Sequence, residues 1–94
     1  MSLEKYYSGK KVLVTGGAGF CGSHLTEALI KLGAEVSVYD NLIRREESFR
    51  NLEELWSQKY SFKFIKADVL DKPTITEAVQ ASDLVFHLAA LPSH

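Results

Sequence analysis

The chain has 94 residues, of which 46% are apolar and 24% are charged, as is typical of one small globular domain. Its formal net charge of −1 at pH 7 argues against a nucleic acid or an anionic membrane as an electrostatic partner. Cys21 is the only cysteine, which excludes an internal disulfide, and no apolar stretch reaches the length of a membrane span. We therefore expect a cytoplasmic protein without nucleic-acid or membrane partners.

Apolar residues along the chain alternate between strand-like and helix-like patterns. Residues 1–10 form an N-terminal extension, after which a β-branched run predicts a strand at 11–15. Leu25, Leu29 and Leu32 then recur at helical spacing. The complete pattern predicts strands at 11–15, 35–39, 61–66 and 83–88, and helices at 20–32, 46–58 and 71–79.

The resulting β-α-β-α-β-α-β order is typical of an α/β protein with a parallel sheet between two layers of helices. Right-handed crossovers between parallel strands predict the strand order 3-2-1-4, and therefore a three-layer, Rossmann-type fold. We expect the first two helices on one face of the sheet and the short third helix on the other. Because the carboxyl ends of parallel strands meet at one edge, a ligand is expected to bind there.

A glycine-rich segment joins the first strand to the first helix. Residues 15–25 read Thr-Gly-Gly-Ala-Gly-Phe-Cys-Gly-Ser-His-Leu. Gly16, Gly19 and Gly22 stand three apart, and Gly17 with the last two also fits the pattern G-x-G-x-x-G. In a dinucleotide site one glycine allows a sharp turn, another admits a pyrophosphate, and a third lets the helix pack closely on the strand. The N–H groups of the first helical turn then face the phosphates.

Asp40 closes the second strand, 18 residues after Gly22. A dinucleotide site places a carboxylate at this point to accept hydrogen bonds from the adenosine ribose hydroxyls. The same carboxylate would repel the 2′-phosphate of NADP, whereas Arg44 and Arg45 in the following loop would attract it. We expect the effect of Asp40 to prevail, so that NAD is the cofactor and NADP is less favoured. The alternative is a solvated loop aspartate.

Four separated motifs agree in order and spacing with those of one known family. They are residues 15–25, then Tyr39-Asp40-Asn41, then Ala67-Asp68-Val69, and then Phe-His-Leu-Ala-Ala at 86–90. Together they resemble the extended short-chain dehydrogenase/reductase family, and more narrowly its nucleotide-sugar epimerase and dehydratase branch. The resemblance extends over the whole chain from Lys11 onward.

The resemblance implies a role for each matching residue in binding NAD. The backbone N–H groups of Phe20 and Cys21 would bind the pyrophosphate, beside the glycines of the turn. The remaining expected contacts are Asp40 and Asn41 with the adenosine ribose, Asp68 and Val69 with the adenine, and Leu88, Ala89 and Ala90 along the route to the nicotinamide ribose. Family members have an aliphatic residue where this chain has Cys21, which leaves binding through the backbone unaffected.

The family also has a catalytic Tyr-x-x-x-Lys pair, with a Ser or Thr, beyond the fourth strand. The one literal match, Tyr6 to Lys10, precedes the first strand at the wrong edge of the sheet, so we do not interpret it as catalytic. We expect residues 11–94 to be the N-terminal portion of a truncated NAD-binding domain, which binds cofactor without catalysis. The parent would be an NAD-dependent epimerase or dehydratase (an isomerase, lyase or oxidoreductase), homodimeric, with a nucleotide-sugar substrate. The alternative is a stand-alone dinucleotide-binding or sensing module.

Other candidate residues favour structural interpretations. We interpret Cys21 as a small packed hydrophobe, although a thiol acidified by the helix start is the alternative. His24, His87 and His94 lack metal-ligand spacing, and His87 is expected to be a hydrogen-bonded core residue. A P-loop is excluded, because Ser23-His24 stand where Lys followed by Ser or Thr is required.

Overall fold

The computed structural model describes residues 3–18, 20–41 and 45–88, and at 20 and 45–49 it describes the backbone alone. The elements in chain order are α1 (Leu3–Tyr7), β1 (Lys11–Thr15), α2 (Phe20–Lys31), β2 (Glu35–Asp40), α3 (Arg45–Ser57), β3 (Lys63–Lys66), α4 (Lys72–Gln80) and β4 (Leu84–His87). Helix α1 lies in the expected N-terminal extension. It buries none of its residues, so an apolar pattern could not have predicted it.

The four strands form a parallel sheet in the order β3-β2-β1-β4, which confirms the predicted fold class and strand order. Val14 of β1 lies opposite Val38 of β2 and Phe86 of β4. Strand β3 begins later than the pattern predicted. Phe62 precedes this strand, and its ring stacks on Trp56 with 5.2 Å between the ring centroids.

Each face of the sheet has its own apolar cluster, as the helix order predicted. One cluster lies between the sheet and helices α2 and α3, and its buried members are Val12, Val14, Ala18, Leu29, Ala34, Val36, Val38 and Leu52. The other is smaller and consists of Leu13, Tyr39 and Ala78 of α4. Val85 of β4 is paired with Leu13 of this cluster but is not a member of it, and it is 41% exposed. Within the described residues, α4 alone covers this face.

Helix α4 begins at Lys72, one residue later than the pattern predicted. The Asp71 carboxylate caps it, accepting hydrogen bonds from the Thr74 N–H at 3.4 Å and from the Thr74 hydroxyl at 2.8 Å. Pro73 occupies the first turn, where its missing N–H costs no helical hydrogen bond. None of the helices in the described ranges is long and apolar enough to cross a membrane.

Candidate functional site

The candidate site lies at the carboxyl edge of the sheet, where β1 leads into the glycine-rich turn. Gly16 has a φ of +74°, a left-handed conformation that a side chain would strain, and it turns the chain at the end of the strand. Its N–H donates to the Tyr39 carbonyl at 2.7 Å, which joins the turn to β2. Gly19 lies outside the described residues.

Gly22 places the start of α2 directly against the turn. A Cβ on Gly22 would collide with the Gly16 carbonyl oxygen and would lie 2.7 Å from the Gly17 Cα. The Gly22 carbonyl accepts a hydrogen bond from the buried Thr26 hydroxyl at 2.8 Å, one helical turn later. This geometry matches the close helix packing that the third glycine of the motif was predicted to allow.

Two side chains from different elements hold the peptide groups of Ala18, which is fully buried. Its N–H donates to Asp40 Oδ2 at 3.0 Å, and its carbonyl accepts from Asn51 Nδ2 at 2.9 Å. We call Asp40 and Asn51, with these two bonds, the Ala18 clamp. Asp40, predicted as a ribose ligand, thus also fixes the turn. Sequence reasoning missed Asn51, whose only signal was an amide beside the core residue Leu52.

The loops after β2 and β3 meet beside this clamp. The buried Tyr39 hydroxyl donates to the Asp68 carbonyl at 2.7 Å, and Asn41 Nδ2 lies 3.5 Å from Asp68 Oδ2. Asp68 Oδ1 also accepts the Leu70 N–H at 2.9 Å. Val69 packs against the cluster that contains Tyr39. The structure therefore brings the predicted ribose and adenine residues to one edge.

Burial raises the pKa of the Tyr39 hydroxyl above its usual value. The carboxylates of Asp71 and Asp68 add to this shift, because their negative charges disfavour a phenolate nearby. The neutral phenol is therefore the stable form of Tyr39 over the ordinary pH range, and its O–H stays available as a donor to the Asp68 loop.

Two expectations about the burial of single residues are wrong. His87 is hydrogen-bonded as expected, since its Nδ1 lies 2.7 Å from the hydroxyl of the buried Thr15, but it is exposed and not a core residue. β4 is an edge strand, and alternation places His87 beside Val85 on the face that α4 covers only in part. Cys21, in the first turn of α2, is exposed too and is therefore not a packed hydrophobe.

The other predicted residues divide into described and undescribed ones. Leu88 donates its N–H to the Thr15 carbonyl at 2.9 Å and is 44% exposed at the carboxyl edge. Phe20 is the first residue of α2, described by its backbone. Ala89, Ala90 and His94 lie outside the described residues, as does Arg44, and of Arg45 only the backbone is described.

The Tyr6-to-Lys10 match lies at the opposite edge of the sheet. Gly9 donates its N–H to the Gly33 carbonyl at 3.0 Å, and the Lys10 carbonyl accepts the Glu35 N–H at 2.8 Å. These contacts are made where β1 and β2 begin, which agrees with its rejection as a catalytic pair. Among the residues the structure describes, no three His, Cys, Asp or Glu side chains converge to hold a metal ion.

A parallel 3-2-1-4 sheet with a glycine turn leading into α2 and a carboxylate at the end of β2 defines a Rossmann-type dinucleotide-binding domain. The model of the NAD dependent epimerase/dehydratase family matches residues 12–94. The chain belongs to this family.

Individual relatives are named as enzymes that act on UDP sugars. The UDP-N-acetyl-alpha-D-glucosaminuronate decarboxylase of Bacillus cytotoxicus is 43% identical over 82 residues, which are 87% of this chain and 24% of that protein. The probable UDP-arabinose 4-epimerase 3 of Oryza sativa subsp. japonica is 42% identical over 83 residues, covering 85% of this chain and 20% of that protein. The chain therefore spans about a quarter or less of the length of these relatives.

Solved structures show the same fold. Epimerase Mth375 of Methanothermobacter thermautotrophicus superposes with a TM-score of 0.73 at 39% identity, over 95% of this chain and 25% of that one. The UDP-glucose-4-epimerase of Stenotrophomonas maltophila, solved with NAD and formylated UDP-arabinopyranose, superposes with a TM-score of 0.76 at 36% identity. That match covers 89% of this chain and 25% of that one.

Proposed function

We propose that this chain binds NAD across the carboxyl edge of its sheet, as the cofactor-binding portion of a nucleotide-sugar epimerase or dehydratase. The observation that supports this most directly is the contact of Gly22 with Gly16 and Gly17, where a Cβ would collide with backbone. Such close packing brings the start of a helix to the end of a strand, as a bound diphosphate requires.

The start of α2 suits the diphosphate of NAD. The helix dipole and the free N–H groups of its first turn create a positive potential there. No acidic side chain in residues 20–23 opposes this potential. In the proposal the backbone N–H groups of Phe20 and Cys21 bind the diphosphate. Gly19 gives the ligand close access to the backbone.

The loops that follow the strands suit the rest of the ligand. Asp40 and Asn41 lie at the end of β2 and would accept and donate hydrogen bonds at the adenosine ribose. Asp68 and Val69 follow β3 beside them and would bracket the adenine. In the proposal, the nicotinamide ribose lies along the segment that follows β4, at Leu88, Ala89 and Ala90.

NAD, when bound, supplies a hydride acceptor, and the role of this chain is to bind and orient it. The relatives are named for reactions on UDP sugars, so we propose a nucleotide-sugar substrate for the whole protein. These relatives favour an enzyme over a stand-alone binding module. The proposal also includes a homodimer and a cytoplasmic location, which sedimentation and cell fractionation test.

Titration of the ¹⁵N-labelled chain with NAD, followed by NMR, tests the proposed site. Amide shifts are expected at the carboxyl edge, among them those of Ala18, Cys21, Asn41 and Asp68. ADP-ribose is expected to shift the same amides, because it has the adenosine and the diphosphate. Amides at the opposite edge, such as that of Glu35, serve as the internal control. Absence of shifts, or equal shifts at both edges, would contradict the proposal.

A further inference from the structure

Asn51 contacts the glycine-rich turn from a helix that is itself firmly placed. Its neighbours Leu52 and Leu55 are 0% and 3% exposed, and Leu52 belongs to the apolar cluster between the sheet and helices α2 and α3. The position of Asn51 is therefore set by the core and not by a mobile loop. Its amide bonds the Ala18 carbonyl at 2.9 Å across 33 residues of sequence.

This bond controls the orientation of one peptide group. The Asn51 amide donates to the Ala18 carbonyl and so holds this carbonyl toward α3. The Asp40 bond to the Ala18 N–H fixes the preceding peptide group in the same way. The clamp thus restrains both backbone polar groups of Ala18 within the turn.

We propose that Asn51 is a positioning residue for the diphosphate of a bound dinucleotide. It acts through Ala18, without touching the ligand, by restraining the backbone of the turn that leads to the N–H groups at the start of α2. This inference rests on the proposed function, since it needs a dinucleotide at the turn. A donor is essential at this position: an aspartate of the same shape would place a carboxylate oxygen against the Ala18 carbonyl.

A purely structural role for Asn51 would affect all ligands of the edge alike, whereas a positioning role affects only those that reach the turn. ADP-ribose has the diphosphate, and AMP presents the adenosine with a single phosphate. We therefore compare the dissociation constants of both ligands in Asn51→Ala and Asn51→Asp. Gln58→Glu is the control, because it adds the same charge as Asn51→Asp at an exposed position beyond α3.

Loss of one neutral hydrogen bond corresponds to about 2- to 10-fold in affinity. We expect ADP-ribose to bind Asn51→Ala about 5-fold more weakly, Asn51→Asp more weakly still, and AMP to change by less than about 2-fold. Gln58→Glu is expected to behave as the wild type. Equal losses for ADP-ribose and AMP, or no loss for either, would overturn the positioning role.

Stability is measured in parallel by urea unfolding, so that the affinities refer to folded protein. If Asn51→Ala does not fold, Asn51→Gln provides the second test, because its longer side chain keeps the amide donor. It is expected to lose ADP-ribose affinity by less than Asn51→Asp does. A wild-type chain that binds neither NAD nor ADP-ribose would instead refute the proposed function, and the role of Asn51 with it.

Discussion

The Asp40 carboxylate accepts the N–H of Ala18 at 3.0 Å, so the residue that closes β2 also holds the turn that follows β1. An acid in this place therefore has a structural contact as well as the predicted contact with a ribose. The two roles are separable, because an asparagine keeps an acceptor oxygen but lacks the charge.

We expect Asp40→Ala to lower the free energy of unfolding by about 1–3 kcal/mol, since it leaves the buried Ala18 N–H without this acceptor. Asp40→Asn is expected to lower the free energy of unfolding by clearly less. Urea unfolding followed by circular dichroism measures both. If the two variants are equally stable, the Ala18 contact contributes nothing measurable.

The cofactor preference depends on the charge of the same residue. A carboxylate about 4 Å from a 2′-phosphate is repelled by about 4 kcal/mol per unit charge at an effective dielectric near 20, before screening. We therefore expect NAD to bind at least about 10-fold more tightly than NADP, and Asp40→Asn to narrow that ratio. Calorimetric titration with both cofactors measures it.

Asp83→Asn is the matched control for this preference. Asp83 also accepts a backbone N–H, that of Lys11 at 2.9 Å, but it does so at the opposite edge of the sheet. Its substitution is expected to leave the NAD-to-NADP ratio unchanged. Equal affinity of the wild-type chain for both cofactors would assign Arg44 or Arg45 to the 2′-phosphate instead.

Gly22→Ala is expected to be severely destabilising, by about 3 kcal/mol or more, because the new methyl group meets backbone atoms that side-chain motion cannot relieve. Gly9→Ala is the control. It also introduces a Cβ, at a φ of +76° but with no atom within 4 Å, so only the backbone strain of about 1–2 kcal/mol remains. Thermal or urea unfolding distinguishes them, and similar losses would contradict the close packing of α2.

The raised pKa of Tyr39 predicts that the free energy of unfolding falls at alkaline pH. Its pKa is raised in the folded chain by burial and by the carboxylates of Asp71 and Asp68. The unfolded chain releases this proton near pH 10 while the folded chain still holds it. Stability is therefore fully present below about pH 10 and falls above it, by up to about 1.4 kcal/mol per pH unit.

Tyr39→Phe is expected to remove this part of the alkaline decrease, at the cost of its bond to the Asp68 carbonyl at neutral pH. Urea unfolding between pH 8 and pH 11 measures the slope, with Tyr6→Phe at an exposed position as the control. An unchanged slope in Tyr39→Phe would show that other groups cause the alkaline loss.

The partly covered face of the sheet predicts self-association. Val85 is 41% exposed in the edge strand β4, and Leu88, directly after this strand, is 44% exposed. The unpaired backbone groups of an edge strand also favour pairing with another chain. We expect the 94-residue chain to sediment as oligomers or aggregates, and Val85→Lys to reduce this. Val79→Lys, at an equally exposed position on α4, is the control. A wild-type chain that sediments as a monomer with sharp, cooperative thermal unfolding would contradict the prediction.

The fold was predictable because local patterns and general rules agree on it. The alternation of strands and helices, together with right-handed crossovers, leaves few possible strand orders. The observed order is the predicted one. The close packing at Gly22 was predictable for a similar reason, because the third glycine of a turn between a strand and a helix commonly allows the two to approach closely. These inferences needed only neighbours in sequence.

The features that were not predicted from the sequence depend on contacts between distant parts of the chain. The contact of Asn51 with Ala18 depends on where α3 packs relative to the glycine-rich turn, which the apolar pattern within residues 46–58 does not determine. His87 lies in an apolar run, but its burial depends on whether a helix covers that side of β4. Apolar periodicity indicates which side chains could be buried, and packing decides which of them are.

The Ala18 clamp has a consequence for transplanting the glycine motif. Its two bonds come from the end of β2 and from α3, which lie 22 and 33 residues along the chain from Ala18. Residues 15–25 grafted alone onto another α/β scaffold would therefore arrive without the side chains that orient their peptide planes. A working graft needs a carboxylate at the end of the adjacent strand and an amide on the neighbouring helix, so the smallest portable unit of this loop includes parts of four elements, β1, α2, β2 and α3.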